Sequence, residues 1–228
     1  MTKDKFVFYS KSPDLEPGSY KGKDWSEFVH NFEDYEELQK YKDWRKMFSN
    51  FYKSPFILDG QEWNSVEHFF HAVKFRDISN PKNFEYYKTF ASDANKPWSL
   101  DPEKSKYAGK AGRVSEKTGK VYDKKIDGEK VPKDVAIRED FYSNGIHKKA
   151  MTLAFFAKFA QNETLTKVLL STNDAQLYHL ITQRGQKSKL ELWNHLMKVR
   201  DCIREYQDKY DLKELSKFDP DVVSRQLF

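Results

Sequence analysis

Apolar side chains recur at helical spacing between Ile137 and Gln161, and this stretch constrains the fold most. Ile146, Ala150, Leu153, Ala154, Ala157 and Ala160 mark the repeat, and Phe155, Phe156 and Phe159 add bulk. Leu165 to Leu170 continues as a short helix, and Leu190, Trp193, Leu196, Met197 and Ile203 mark a final one. Residues 81–92 suit a short helix with Phe84, Tyr87 and Phe90 inward, and part of 25–47 suits another. Strand signals are fewer. Phe6 to Ser10 is rich in residues that fit a pleated surface. Phe56-Ile57-Leu58, then Asp59-Gly60, then Trp63 reads as a β-hairpin. A helix follows from Asn64-Ser65 to about Asp77, with Asn64 as N-cap and Glu67 three residues on. From Asp93 to Asp134 the chain is polar, with four glycines and three prolines, and reads mostly as a long loop or insertion. Lys104 to Arg113 inside it suits a helical turn or two. The fold expected is mainly α with a small antiparallel β element (α+β). One domain spans 1–206, with the insertion at about 93–134 and a charged tail over 207–228.

Only 38% of the 228 residues are apolar, but 18 Phe, 13 Tyr and 5 Trp are enough to build a core. The formal charge of +5 is a mild bias that suits a phosphorylated substrate. It falls short of the dense basic stripe of a dedicated nucleic-acid binder. The lone cysteine, Cys202, cannot form an internal disulfide, which suits a reducing compartment: the cytoplasm, or the nucleus in a eukaryote. No apolar run reaches membrane-span length, so no membrane partner is expected.

Placed on a helical wheel, Phe70, Trp63, Lys74, Glu67 and His71 share one sector of roughly 100°. Val66, Phe69 and Val73 lie beside it, toward the core. An acid, a base and two aromatics therefore border the buried stripe, where a pocket wall would be. A carboxylate beside a sugar C1 can stabilise an oxocarbenium-like state or activate water. A lysine can neutralise phosphate or, if desolvated, form a Schiff base with an opened sugar aldehyde. Trp63 can stack on a base or sugar. A plainer reading stands beside this one. Glu67 then belongs to a capping box, Lys74 is solvated and Trp63 is core.

A family resemblance separates the two. Phe48-Ser49-Asn50-Phe51-Tyr52, Ser54-Pro55-Phe56, Gly60, Trp63 and Ser65-Val66-Glu67-His68-Phe69-Phe70-His71-Ala72-Val73-Lys74-Phe75 resemble the signature of the NADAR (YbiA-like) family. Ala108 to Arg113, Met151 to Phe159, Leu169 to Thr172, Leu177, Leu196-Met197 and Arg200 resemble its later segments. Four features depart from the family pattern, the first being the 93–134 segment, longer than in the compact bacterial pattern. His71 stands where the family commonly has Gln, and Phe141 where it often has Trp. Tyr178 to Gly185 looks more like eukaryotic or viral members than bacterial ones. The resemblance implies an N-glycoside hydrolase that removes ADP-ribose from modified guanine bases or nucleotides. It also admits an N-glycosidase on phosphoribosylamino-pyrimidine intermediates of riboflavin synthesis, and a non-catalytic ADP-ribose-binding module. Carried over residue by residue, it makes Glu67 and Lys74 catalytic candidates. Asn50, Phe51, Trp63, His71, Arg113 and Arg184 become substrate-binding candidates. The partner implied is an ADP-ribosylated nucleotide or nucleic acid, with no cofactor and no metal.

Other residues offer less. His68 and His71 are three apart but lack further ligands, which argues against zinc. His68 reads as a surface histidine. Arg113, after Gly109 and Gly112, suits a pyrophosphate clamp or a solvated loop position. His179 and Asp174 suit proton transfer or solvated loop positions equally, and Cys202 suits an apolar filler.

Overall fold

The computed structural model describes residues 3–22, 25–182 and 187–209. Arg184, Gly185 and most of the charged tail lie outside the described residues. In chain order the elements are β1 (Lys5–Phe8), α1 (Glu36–Gln39), α2 (Trp44–Met47), β2 (Phe56–Leu58), β3 (Gln61–Trp63), α3 (Val66–Val73), α4 (Pro81–Lys88), α5 (Pro97–Leu100) and α6 (Pro102–Ala108). Then come β4 (Lys125–Ile126), β5 (Glu129–Lys130), α7 (Asp140–Ser143), α8 (Ile146–Ala160), α9 (Glu163–Leu170), β6 (Gln176–Ile181), β7 (Lys189–Leu192) and α10 (Asn194–Gln207). The protein is mainly helical with small β elements, as its sequence suggests.

Local chemistry accounts for most boundaries. Asp59 and Gly60 both take positive φ, 57° and 71°, the left-handed pair that lets two residues close the β2–β3 hairpin. Gly145, at φ 71°, separates α7 from α8, so the long apolar stretch is two helices rather than one. The 92–108 region corrects the loop reading. Pro97 and Pro102 stand at the first positions of α5 and α6, where the missing N–H costs nothing, and the Asp101 side chain caps α6. Those prolines start helices. Helix α3 is capped at Ser65 rather than Asn64, whose amide donates to the Ser99 carbonyl at 2.8 Å.

The sheet was not foreseen. β6 is its central strand, parallel to β1 on one side and antiparallel to β7 on the other. The pairs Lys5↔Gln176 to Phe8↔His179 join segments far apart in the sequence. Helix α8 packs against α3, α7, α9, α10 and β2, and so forms the centre of the molecule. Aromatic rings fill the space between: Phe6 meets Tyr35 and Trp44 edge-on, and Phe8 meets Phe48. A buried ion pair ties the N-terminal segment to this core. Arg45 donates to both oxygens of Glu27, at 2.8 and 2.5 Å, and Glu27 also accepts the Val7 and Gly18 N–H groups.

Candidate active site

Helix α3, the loop carrying Asn50 and the loop after α6 build the site. Glu67 lies in the first turn of α3, yet it makes no capping box: the N-cap Ser65 side chain accepts no backbone N–H. Ser65 Oγ lies 2.7 Å from His68 Nδ1 instead. The Glu67 carboxylate points inward and is 4% exposed. Its Oε2 accepts from the Asn50 amide at 2.6 Å, and its Oε1 lies 2.8 Å from His71 Nε2. Asn50 holds it twice, because the Asn50 carbonyl also accepts the Glu67 backbone N–H at 3.0 Å.

The chain of contacts continues. His71 Nδ1 lies 2.8 Å from Lys74 Nζ, and Lys74 also reaches the Gly109 carbonyl at 3.4 Å. A lysine amine donates to an imidazole nitrogen that lacks a proton, so His71 carries its proton on Nε2 and donates to Glu67. One helix face thus presents Glu67, His71 and Lys74 as a linked series. Lys74 is only 6% exposed, and its amine sits 5.4 Å from the Phe70 ring and 5.9 Å from Phe141. Neither the capping reading of Glu67 nor the solvated reading of Lys74 survives.

Charge states follow from these neighbours. Burial pushes the Glu67 carboxyl up, but His71, Asn50 and Lys74 outweigh it and hold the group below the usual carboxylate range. Burial, with the Lys74 charge, holds the His71 imidazole below its ordinary range against the pull of Glu67. Burial brings the Lys74 amine down to about 8, opposed by Glu67 and aided by Arg113 and Lys110.

Gly109 explains itself here. A Cβ at that position would stand 2.3 Å from His71 Nδ1, so only glycine lets the loop after α6 close over the imidazole. Gly112 has φ 67°, and a Cβ there would lie 1.7 Å from the Val135 carbonyl oxygen. Beyond them the chain turns basic. Lys110 and Arg113 line a cavity of about 320 Å³ together with Lys120 and Tyr122. Lys106, near His71, holds its amine 5.9 Å from the half-buried Phe51 ring. Burial and the like charges of Lys106, Lys124 and Arg113 lower the Lys110 pKa. Three acids of this segment are engaged elsewhere, Asp123 with Lys133, Asp127 with Lys104 and Glu129 with Lys96, and Glu116 lines the cavity among its cations. The cations beside the site therefore outnumber their local partners.

Two expectations change. Trp63 is 0% exposed, packs on Phe69 and Tyr87, and donates its indole N–H to the Leu58 carbonyl at 2.8 Å. An indole with no open face cannot stack on a ligand, so Trp63 belongs to the core. His68 is likewise wholly buried, and burial pushes its imidazole down to about 4. Arg184 lies outside the described residues.

The structure also brings two more residues near the site, of which the sequence reading had missed Lys158. His179 is on β6, stacked on Phe8 and edge-on to Trp193, close enough to feel the Glu67 charge. Burial pushes it down to about 4. Lys158 lies beneath the Phe48–Asn50 loop with its amine fully enclosed. Nothing in the sequence signals Lys158, whereas His179, read as suiting proton transfer or a solvated loop equally, stands on a strand. Asp174 pairs with Arg204, and Cys202 is half-buried against the core. Among the described residues no group of three or more His, Cys, Asp or Glu is placed to hold a metal ion, and no helix is long and apolar enough to cross a membrane.

Comparison with known proteins returned no match among curated proteins. Among solved structures, the NMR structure of the E. coli protein YbiA is similar, at 17% identity and a TM-score of 0.48, covering 92% of this chain and 91% of that one. The family model for the NADAR domain matches residues 38–183, which contain Asn50, Glu67, His71, Lys74, Gly109 and Arg113. The chain belongs to the NADAR domain family.

Proposed function

We propose that the protein hydrolyses an N-glycosidic bond and removes ADP-ribose from modified guanine bases or nucleotides. NADAR membership supports N-glycosidase-type chemistry in general. The single observation that carries the finer reading is the linked, buried series Glu67–His71–Lys74 beside an excess of cations.

In this reaction the bond between ribose C1 and the base nitrogen breaks, and its electron pair leaves with the base. Positive charge develops at C1. A carboxylate kept ionised in a water-poor site stabilises that charge strongly, because little solvent screens it. Water then adds to C1 and gives up a proton to Glu67, which passes it on to the departing base nitrogen. The amide of Asn50 keeps Glu67 aimed, and His71 links it to Lys74. Below about pH 8 Lys74 is an ammonium that donates to ribose or phosphate oxygens. Above that pH its free amine can add to the opened C1 aldehyde and expel water as a C=N bond forms. Lys106, Lys110 and Arg113 supply charge enough for a diphosphate, which favours an ADP-ribosyl group over a single phosphate.

The test is incubation with an oligonucleotide carrying ADP-ribosylated guanosine, followed by mass spectrometry. Release of free ADP-ribose and restored guanine is expected. Binding without release would leave an ADP-ribose-binding module. Release of ribose 5-phosphate from a phosphoribosylamino-pyrimidine, with the oligonucleotide untouched, would replace the substrate.

A further inference from the structure

We infer that Lys158 is a positioning residue for this chemistry: it fixes the loop that carries Asn50 and through it the orientation of the Glu67 carboxylate. The inference rests on the glycosidase reading only for its kinetic readout.

Lys158 is on α8, more than 100 residues from that loop in sequence, and is 0% exposed. Its Nζ donates to the Met47 carbonyl at 2.7 Å and to the Ser49 carbonyl at 2.9 Å. No described carboxylate pairs with it. The rings of Tyr52, Phe155 and Phe159 lie 5.3, 5.8 and 5.3 Å from the amine. Burial alone brings the amine down to about 7. A lysine in such a place costs the fold desolvation, and a methionine would fill the same space without it. What the amine adds is two donors aimed at two carbonyls of one turn.

That turn leads straight into Asn50. The Asn50 side chain makes one hydrogen bond, to Glu67 Oε2, and its own Oδ1 is buried without a partner. Nothing at the amide end therefore aims Asn50. Its aim comes from the backbone of residues 47–50, which Lys158 anchors. The path runs from the Lys158 amine to the Met47 and Ser49 carbonyls, then to Asn50, then to Glu67. It couples the central helix to the carboxylate without Lys158 touching substrate.

The experiment follows the Glu67 carboxyl directly, by ¹³C NMR titration of the full chain labelled at glutamate Cδ. Asn50→Ala removes a hydrogen bond to the charged form, so it raises the Glu67 pKa. Lys158→Met is expected to raise it as well, and to add little in the Asn50→Ala background, because both act through one contact. Lys158→Arg, which keeps donors, is expected to restore part of the shift. On the ADP-ribosylated oligonucleotide, Lys158→Met should lower kcat about 10-fold with KM nearly unchanged, as expected when transition-state aim is lost and binding is kept. An unchanged Glu67 titration in a folded Lys158→Met protein would overturn the inference. So would shifts that simply add in the double variant. If Lys158→Met does not fold, Lys158→Gln, with a shorter amide donor, is read against the same two outcomes. A wild-type chain that releases no ADP-ribose refutes the glycosidase reading alone, and the titration still decides the role of Lys158.

Discussion

Helices α3 and α8 each bury a lysine, and the two amines are tuned by different means. At the end of α3, Lys74 has His71 and the Gly109 carbonyl as partners and feels the charges of Glu67, Arg113 and Lys110. Inside α8, Lys158 has two carbonyls and three rings, and only burial moves its pKa. Burial thus draws both amines toward neutrality, but only the first has neighbours whose charge a substrate can change. An anionic ligand beside Arg113 and Lys110 would offset the repulsion that lowers Lys74, whereas nothing the ligand carries reaches Lys158. The contrast separates the amine proposed to act on substrate from the one proposed to hold a loop.

Four measurements break or sharpen that contrast. The largest effect is expected from Glu67→Gln, which keeps the shape but removes the charge. Turnover of the ADP-ribosylated oligonucleotide should fall by about 10³-fold, as for loss of a main electrostatic stabiliser. Activity within tenfold of wild type would remove Glu67 from the chemistry. Next, Lys74→Met should lower kcat about 10²-fold, in the range of lost acid–base groups, and more than Lys158→Met does. Equal losses from the two would erase the distinction. Third, Gly109→Ala drives a methyl into the His71 ring. It should cost about 1–3 kcal/mol in stability, as overpacking does, and disturb His71 ring signals while leaving Lys158 untouched.

The smallest effect is in the pH dependence of stability. Each amine has an ordinary value of 10.5, against about 8 for Lys74 and about 7 for Lys158 in the folded chain. Between the folded and unfolded values the unfolded chain binds more protons, so stability rises with pH. Denaturant melts should show that rise from pH 7 to about 10, and in Lys158→Met only from about pH 8. A profile unaltered by Lys158→Met would mean that its amine stays charged. On the acid side His68, His179 and His195 are each held at about 4 by burial. Stability therefore falls as pH drops from 6.5 toward 4, in every one of these variants.

Much of this architecture was readable from the sequence. The Asp59-Gly60 hairpin, the helix bearing Glu67 and Lys74, and the apolar face of α8 all rest on local chemistry or short-range period, which a single sequence displays. The errors have physical causes. The wheel that put Trp63 with Glu67 began before the helix does: Trp63 ends β3, and α3 starts at Val66. Angles counted across a strand–helix junction carry no meaning. Pro97 and Pro102 read as breakers because position within a helix, not presence, decides what proline does. β6 went unseen because Gln176 to Ile181 mixes polar and apolar residues without clean alternation, and its partner β1 is far away in sequence. Lys158 was hidden because the spacing of apolar neighbours says nothing of what a polar residue among them touches.

That distant pairing of Lys5–Phe8 with Gln176–His179 has a consequence for how the protein matures. A ribosome delivers the first strand long before the strand it must join, so the early segment waits unpaired through most of synthesis. Contacts this non-local close slowly, and exposed strand edges invite wrong partners meanwhile. His179 reaches the neighbourhood of Glu67 only when the sheet closes. The α3 series can therefore assemble from local contacts first, while the enclosure around it is among the last parts of the molecule to form.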